Sequence, residues 1–199
     1  MTGLVFAVVG PSGAGKDTLL AGAVAASTVV HWARRTITRP EIAGAEPFEG
    51  VTVAEFDRLS AEGAFALQWP AHGLRYGIRT AEFASLEQGV DVLFNGSRAA
   101  LPMALKRFPS LIVVRITTPS RVLAERLAAR GRETAEDIES RLARASYEVP
   151  EGLPVIDIAN DGTPQRGIAK TQRKTLATRL EWQSEIERRS SEGHYSDLR

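Results

Sequence analysis

The chain has 199 residues, of which 43% are hydrophobic, and its formal net charge is +1. This length and composition predict a single α/β domain with a sizeable hydrophobic core. The balanced charge gives no reason to expect nucleic acid as a partner. Because the sequence contains no cysteine, disulfides, thiol chemistry and cysteine-based metal sites are excluded.

Two further classes of protein are not expected. No apolar run approaches the roughly 20 residues that a helix needs to cross a bilayer, so we expect no membrane association. A predicted core strand begins almost at the first residue, which leaves no room for a signal peptide. We therefore expect a cytoplasmic protein.

The first predicted strand, residues 4–9, is followed by a glycine-rich segment and then by a helix predicted from about residue 15 to 26. Strand, glycine-rich turn, lysine and helix in this order are the P-loop in its required context, which binds nucleotide phosphates. Backbone N–H groups and the helix N-terminus would face the phosphates, and Lys16 would add a mobile positive charge. The predicted ATP-binding residues here are Gly10, Pro11, Ser12, Gly13, Ala14, Gly15, Lys16, Asp17 and Thr18.

The residue after Lys16 departs from the usual P-loop pattern. A P-loop normally has Ser or Thr at this position, whose hydroxyl binds Mg²⁺, whereas this sequence has Asp17 followed by Thr18. A carboxylate beside a triphosphate is repelled unless a metal ion lies between them. Two interpretations stay open: Asp17 contacts Mg²⁺ directly or through water, or it faces away while Thr18 has another role. We favour metal contact by Asp17.

Residues 31–80 are predicted to form an insert that binds the phosphoryl acceptor. A second strand is predicted at residues 28–32, and Arg34, Arg35 and Arg39 follow it beside two threonine hydroxyls. This cluster suits an anion site, although a solvated edge strand would have the same pattern. Residues 41–50 predict a surface loop, and Thr52 predicts the start of a short capped helix. The alternating segments at 65–69 and 73–79 add aromatic side chains and two further arginines.

The rest of the chain predicts the elements of an open α/β sheet. A helix at 80–88 ends at Gly89, and the strand at 90–94 leads into the polar turn Asn95 to Arg98, where such sheets bind ligands. A helix at 98–107, a strand at 111–116 and a helix beginning at Pro119 follow. The last strand, 155–159, ends at Asn160 and is followed by a helix at about 164–180. The charged tail from residue 181 is predicted to be a frayed helix or disordered.

Four arginines surround a predicted helix–turn–helix near residues 128–146, namely Arg130, Arg132, Arg141 and Arg144. Residues 141 and 144 lie three positions apart and share one face of a helix. Two arginines on one face can close over a transferring phosphoryl group. A surface helix with salt bridges would have the same composition, because four acidic residues lie nearby, namely Glu133, Glu136, Asp137 and Glu139.

These motifs together resemble the guanylate kinase branch of the nucleoside monophosphate kinases over roughly residues 3–180. The sequence departs from that branch where guanine is read: Gln68 replaces a base-reading Glu, Ile42 replaces an Arg, and Asn95 stands near a missing carboxylate. The chain is more similar to the ribose 1,5-bisphosphate phosphokinase family. That resemblance depends on four pieces in order: Gly15 to Asp17, Arg35 to Arg39, Gly73 to Gly77, and Asn95 to Arg98.

The resemblance implies an α/β P-loop kinase fold in one domain. Its parallel sheet core, flanked by helices, would comprise residues 1–30 and 81–180, with an acceptor-binding insert at 31–80, a helical lid at about 128–146 and a tail at 181–199. The implied reaction is ATP-dependent, Mg²⁺-assisted phosphorylation of ribose 1,5-bisphosphate to 5-phosphoribosyl 1-diphosphate in phosphonate degradation. A guanylate kinase-like nucleoside monophosphate kinase and a non-catalytic binding module of this fold remain the alternatives, and a homodimer is left open.

The resemblance also assigns roles to individual residues. Lys16, Arg132 and Arg141 are implied to be catalytic, and Arg130 and Asn160 to join the P-loop in binding ATP. Asp17 stays our own hypothesis for the metal contact, because the carboxylate usual at the end of a core strand is missing here. The implied acceptor-binding residues are Arg35, Arg39, Arg75, Tyr76, Asn95, Ser97 and Arg98.

Overall fold

The computed structural model describes residues 2–41, 46–129, 142, 149–150 and 152–191. Its strands are β1 Val5–Val9, β2 Val30–Trp32, β3 Arg35–Ile37, β4 Phe48–Gly50, β5 Phe65–Ala71, β6 Leu74–Arg79, β7 Asp91–Asn95, β8 Ile112–Thr117 and β9 Val155–Ala159. Its α-helices are α1 Lys16–Ala25, α2 Val53–Ala61, α3 Leu101–Arg107, α4 Ser120–Ala129 and α5 Pro164–Ser191. Two 3₁₀ helices span Thr80–Gln88 and Arg98–Ala100.

Five strands form a parallel sheet in the order β2-β7-β1-β8-β9, as predicted for the core. All five residues of β1 are buried, and alternate side chains point to opposite faces. Phe6 and Val8 pack with Leu19 and Leu20 of α1 on one face. Because β2 pairs with β7, the parallel sheet includes the chain as far as Trp32, two residues into the segment predicted as the insert.

The insert forms a second, four-stranded sheet in the order β4-β3-β6-β5. Strands β5 and β6 are an antiparallel hairpin, and β3 pairs antiparallel with β6 and parallel with β4. One face of this sheet packs against the parallel sheet through Ile37, Leu67 and Ile78, which join Val5 and Phe94 in one core cluster. This contact fixes the predicted acceptor insert against the carboxyl ends of the parallel strands.

Helix α2 packs on the other face of the second sheet. Thr52 caps α2 as predicted, because its hydroxyl accepts a hydrogen bond of 3.1 Å from the backbone N–H of Glu55. Phe56 of α2 stacks on Phe65 of β5, with ring centroids 4.7 Å apart. Gly77 makes room for this contact, since a Cβ there would lie 2.5 Å from the Phe65 ring.

One local prediction was wrong, and the structure adds detail to two others. Residues 41–50, predicted as a surface loop, contain strand β4 and the buried side chains of Glu46 and Phe48. The helix predicted at 80–88 is a 3₁₀ helix, which Gly89 ends with a φ of 78°. The tail from residue 181, predicted as a frayed helix or disordered, continues α5 to Ser191, and Trp182 packs on the core cluster beside α1, while residues 192–199 lie outside the described residues.

Helix α5 is held against the sheet at two places. Gly22 of α1 allows the two helices to touch, since a Cβ there would lie 2.4 Å from Cδ1 of Ile168. Further along α5, Arg179 forms a 3.0 Å ion pair with Asp91 at the start of β7, and the Arg179 side chain is 18% exposed. The same carboxylate accepts a 2.9 Å hydrogen bond from the backbone N–H of Leu4.

None of the helices in the described residues combines the length and the hydropathy that crossing a membrane requires.

The Asp91–Arg179 pair gives a prediction about stability. Burial raises the pKa of Asp91, and the Leu4 N–H and Arg179 oppose that rise. Arg179→Met leaves the buried carboxylate without its cation, so we expect a loss of about 3 kcal/mol in the free energy of unfolding at pH 7. The pKa of Asp91 then rises further, so the cost of keeping it ionised grows as pH increases. Urea unfolding should therefore show a smaller loss near pH 4 than at pH 7.

Arg121→Met is the matched control, because Arg121 pairs with Glu125 on the surface of α4 and its side chain is 80% exposed. Such a pair is worth roughly 0.5 kcal/mol or less. Equal losses for the two variants, or a loss at position 179 that does not change with pH, would contradict the proposed contribution of the buried pair.

Candidate active site

The glycine-rich segment forms a compact loop between β1 and α1. Gly13 and Gly15 have φ values of 85° and 87°, a region that residues with a Cβ rarely adopt. A Cβ on Gly15 would also lie 2.6 Å from Nδ2 of Asn160, and one on Gly10 would lie 2.4 Å from the carbonyl oxygen of Ile116. The loop therefore requires glycine for both its conformation and its packing, as expected of a phosphate-binding backbone.

Lys16 lies at the mouth of this loop. Its Nζ donates hydrogen bonds to the carbonyl oxygens of Gly10 (2.9 Å) and Pro11 (3.0 Å). An ammonium group held on loop carbonyls is already positioned over the concave side of the loop. Lys16 can exchange these contacts for phosphate oxygens without a large movement of its backbone.

Asn160, predicted to bind ATP, lies beneath the loop after β9. Its Nδ2 donates a 2.7 Å hydrogen bond to the carbonyl oxygen of Ala14, and the residue is 5% exposed. Its Oδ1 is buried and has no hydrogen-bond partner in the described part of the chain. Asn160 thus holds the loop in place from below.

Arg126 of α4 is next to the same loop and was not predicted as a site residue. Its Nη2 donates to the carbonyl oxygen of Gly162 (3.3 Å), while Nη1 is buried without a hydrogen-bond partner among the described residues. Nη1 lies 3.9 Å from the position that a Cβ of Gly15 would occupy. The sequence did contain a signal, since Arg126 lies four residues before Arg130, one helical turn away.

The carboxyl end of β7 joins the P-loop to the insert through a chain of polar contacts. The amide nitrogen of Asn95 donates to Oδ1 of Asp17 (2.7 Å) and to Oε2 of Glu46 (3.1 Å). Glu46 in turn accepts two hydrogen bonds from Arg35, of which the bond from Nε measures 2.9 Å. Asn95 and Glu46 therefore connect Asp17, the predicted metal contact, with Arg35, a predicted acceptor residue.

Glu46 is the functional candidate that the sequence analysis missed. It was assigned to a surface loop, but its side chain is only 5% exposed. Burial raises the pKa of Glu46, while Arg35 beside it opposes that rise. Burying a carboxylate costs desolvation free energy, and here two charge-assisted hydrogen bonds offset it. Such an arrangement indicates a defined role in the site.

The predicted acceptor residues of β3 and β6 lie mostly on one face of the second sheet, the face that packs against the parallel sheet. Arg35 lies over the ring of Tyr76, with its guanidinium carbon 5.3 Å from the ring centroid. Arg39 lies 4.6 Å from the centroid of the Phe48 ring, and its buried Nε has no hydrogen-bond partner in the described residues. Tyr76 stacks on Trp69 with ring centroids 5.7 Å apart, and this contact fixes the ring on which Arg35 lies.

Ser97 and Arg98 follow Asn95 at the carboxyl end of β7. The Ser97 hydroxyl is buried and has no hydrogen-bond partner within the described ranges, while Arg98 is exposed at the start of a 3₁₀ helix. The structure therefore brings Arg35, Asn95, Ser97 and Tyr76 to the junction of the two sheets, where Arg98 begins a helix.

Arg75 does not join this group. It alternates with Tyr76 along β6 and so points to the face covered by α2, where it pairs with Asp57 and is 46% exposed. Gln68 lies on this same face, because its Oε1 accepts a 2.8 Å hydrogen bond from Ser60 of α2. The position aligned with a base-reading Glu is therefore turned away from Arg35.

The predicted lid residues Arg130, Arg132, Arg141 and Arg144 lie outside the described residues. Within the described ranges, no group of three or more His, Cys, Asp or Glu side chains is arranged to hold a metal ion. Magnesium usually needs only one or two protein carboxylates when substrate phosphates complete its coordination. Asp17, which is exposed at the start of α1, can supply one of them.

Comparison with solved structures shows the fold. The chain is similar to a guanylate kinase from Anaplasma phagocytophilum, with a TM-score of 0.63, 18% sequence identity, and coverage of 90% of this chain and 86% of that one. At this identity the similarity establishes the architecture alone, a P-loop kinase fold with a parallel sheet flanked by helices. No family model matches the chain.

Comparison with curated proteins gives much higher identity. The chain is 49% identical over 172 residues to a bifunctional ribose 1,5-bisphosphokinase-thymidine phosphorylase from Azorhizobium caulinodans, covering 85% of this chain but only 25% of that protein. The chain thus spans about a quarter of the length of this bifunctional relative. It is 46% identical to the ribose 1,5-bisphosphate phosphokinase PhnN of a Ruegeria species, covering 85% of this chain and 90% of that protein.

The P-loop, the polar turn after β7 and the arginine-bearing insert thus occur in a chain that matches one group of kinases along almost its whole length. The chain belongs to the ribose 1,5-bisphosphate phosphokinase family.

Proposed function

We propose that this chain transfers the γ-phosphoryl group of ATP to the 1-phosphate of ribose 1,5-bisphosphate. A bond forms between an oxygen of that phosphate and the γ-phosphorus, and the bond from the γ-phosphorus to its bridging oxygen breaks. The products are ADP and 5-phosphoribosyl 1-diphosphate. The names of the relatives with 43–48% identity support this reaction and its place in phosphonate metabolism.

The observation that carries the proposal is the character of the acceptor face. Arg35 and Arg39 lie over aromatic rings on the side of the second sheet that packs against the parallel sheet. Gln68, the residue aligned with a base-reading side chain, is turned to the opposite face and bonded to Ser60. Arginines bind phosphate through charge-assisted hydrogen bonds, and a sugar bisphosphate offers no base to read. We assign Arg35, Arg39, Tyr76, Asn95, Ser97 and Arg98 to the acceptor.

On the donor side, the P-loop amides and Lys16 would bind the β- and γ-phosphates. Arg126 extends this site, since its buried Nη1 lies beside Gly15 without a hydrogen-bond partner in the described residues. We propose that Arg126 contacts the bound nucleotide and that Arg130, Arg132 and Arg141 complete the site when ATP is present.

Asp17 is the proposed contact for Mg²⁺. Its Oδ1 accepts the hydrogen bond from Asn95, which leaves Oδ2 available for the ion or for a water bound to it. Bound magnesium would neutralise charge on the β- and γ-phosphates. The usual carboxylate at the end of the neighbouring strand is replaced by Asn95, and Asp17 would supply the negative charge from the P-loop instead.

This reaction needs no general base, because the attacking phosphate oxygen is already anionic. The described histidines agree with this requirement. His31 of β2 is paired with Glu82 at 2.8 Å, and His72 lies in the turn between β5 and β6. Catalysis would consist of alignment and neutralisation of charge.

Product analysis with ATP and a panel of acceptors tests the proposed function. With ribose 1,5-bisphosphate we expect stoichiometric ADP and 5-phosphoribosyl 1-diphosphate, identified by phosphorus NMR. Because the groups aligned with guanine recognition are missing or turned away, kcat/KM for GMP should be lower by at least about 100-fold. A preference for GMP would support the nucleoside monophosphate kinase, and ATP binding without transfer to any acceptor would support the non-catalytic module.

The metal assignment is tested by Asp17→Ala. We expect the Mg²⁺ concentration for half-maximal activity to rise by at least about tenfold, while the KM for the acceptor changes by less than about threefold. Calorimetric binding of ADP should show the same shift in its dependence on Mg²⁺. Thr18→Ala is the comparison. It removes the Thr18 hydroxyl, which is the alternative side-chain ligand for Mg²⁺ next to Asp17. If Asp17→Ala titrates like wild type and Thr18→Ala does not, the metal contact belongs to Thr18.

A further inference from the structure

Glu46 contacts both the acceptor side and the metal side of the site. Its Oε1 accepts a 2.9 Å hydrogen bond from Nε of Arg35, and its Oε2 accepts bonds from Nη2 of Arg35 and, at 3.1 Å, from Nδ2 of Asn95. Asn95 uses the same nitrogen to bond Asp17 at 2.7 Å. The side-chain amide of Asn95 thus bridges the carboxylates of Glu46 and Asp17, which would otherwise repel each other.

Glu46 is too enclosed to touch a substrate. Its side chain is 5% exposed, and both of its oxygens are engaged by Arg35 or Asn95. Any effect of Glu46 on the reaction must therefore pass through these two residues.

The strand pairing explains how Glu46 reaches Arg35. Arg35 of β3 lies opposite Phe48 of β4, and Glu46 precedes Phe48 by two residues. The carboxylate consequently meets the side of the guanidinium that carries Nε and Nη2. Within the described residues no hydrogen bond is made by Nη1, which can therefore face a phosphate oxygen, and the Tyr76 ring lies beneath the guanidinium.

We propose that Glu46 is a positioning residue that orients Arg35 for the acceptor phosphate and, through Asn95, orients Asp17 for the metal. This inference rests on the proposed function, because it takes Arg35 as an acceptor contact and Asp17 as a metal contact. It assigns to one buried carboxylate the alignment of two groups that lie on different sheets.

Glu46→Gln tests the proposal while keeping the size of the side chain. Whichever way the amide turns, its NH₂ group faces a donor of Arg35, and in one orientation also the donor of Asn95, so at least one charge-assisted hydrogen bond is lost. We expect the KM for ribose 1,5-bisphosphate to rise by about 10- to 100-fold, the range that such a bond accounts for. The Mg²⁺ concentration for half-maximal activity should rise as well, by at least about threefold, whereas ADP binding without Mg²⁺ should not change.

Glu49→Gln, three residues further along the chain on β4, is the matched control. Glu49 is bonded by Arg79 at 2.6 and 2.9 Å and by Thr36 at 2.7 Å, but it lies on the opposite face of the sheet. Its neutralisation removes a similar ion pair and the same charge. The Tm of Glu49→Gln should fall while its acceptor KM and its Mg²⁺ dependence stay within about twofold of wild type, because the hydrogen bonds of the Glu49 carboxylate go to Thr36 and Arg79 and not to Asn95 or Arg35.

A double-mutant cycle separates positioning from a general loss of stability. If Glu46 acts on the acceptor through Arg35, Glu46→Gln should add nothing to the acceptor KM of Arg35→Met, but it should still raise the Mg²⁺ requirement. The double variant also avoids a buried arginine without its carboxylate, so it can be studied even if the single variant unfolds.

Three results would overturn the proposal: an unchanged acceptor KM in Glu46→Gln, equal effects of Glu46→Gln and Glu49→Gln, or additive effects in the cycle. Failure of the proposed function gives a different result, since wild type would then prefer another acceptor. In that case the same variants are assayed with the preferred acceptor. The ratio of each variant's acceptor KM to that of wild type then decides the role of Glu46.

Discussion

In the proposed reaction, the central constraint is electrostatic repulsion between two phosphate groups that must come into line. Each carries negative charge, and the repulsion is strongest where water is excluded. A protein that brings them together must provide fixed positive charge on both sides and must prevent its own cations from being neutralised by mobile anions. The arrangement of arginines, Lys16 and buried carboxylates in this structure can be understood from that requirement.

The two sheets divide this task. The parallel sheet carries the P-loop and Lys16 at the carboxyl end of β1, and the second sheet carries Arg35 and Arg39 on the face that packs against it. The core cluster between the sheets fixes their separation. Glu46 neutralises part of the charge of Arg35 but holds its guanidinium in one orientation, which converts a flexible cation into a directed one.

The sequence was sufficient where the structural rule is local. The P-loop, the cap at Thr52 and the parallel core strands follow from short patterns whose physical causes lie within a few residues. The role of Glu46 could not be predicted in this way. Its burial depends on contacts with Arg35 and Asn95, which are 11 and 49 residues away, and a Glu beside a Pro-containing turn looks like a surface residue.

The sequence pattern likewise did not predict which side chains of the second sheet point to which face. Arg75 and Tyr76 are adjacent, and only the pairing of β6 with its neighbours decides that Tyr76 meets Arg35 while Arg75 meets Asp57. The spacing of Arg126 from Arg130 was a signal, but the sequence does not show that α4 lies beside the P-loop and buries Nη1 next to Gly15. In each case the missing information is which distant element covers the residue.

The most direct measurement is the single-turnover rate of phosphoryl transfer by Lys16→Met, with Lys106→Met, an exposed lysine of α3, as the control. Removing one fixed charge that stabilises the transition state should slow transfer by at least about 100-fold, whereas the control should match wild type. If Lys16→Met binds nucleotide and transfers the phosphoryl group at the wild-type rate, alignment by fixed positive charge is not the basis of this site.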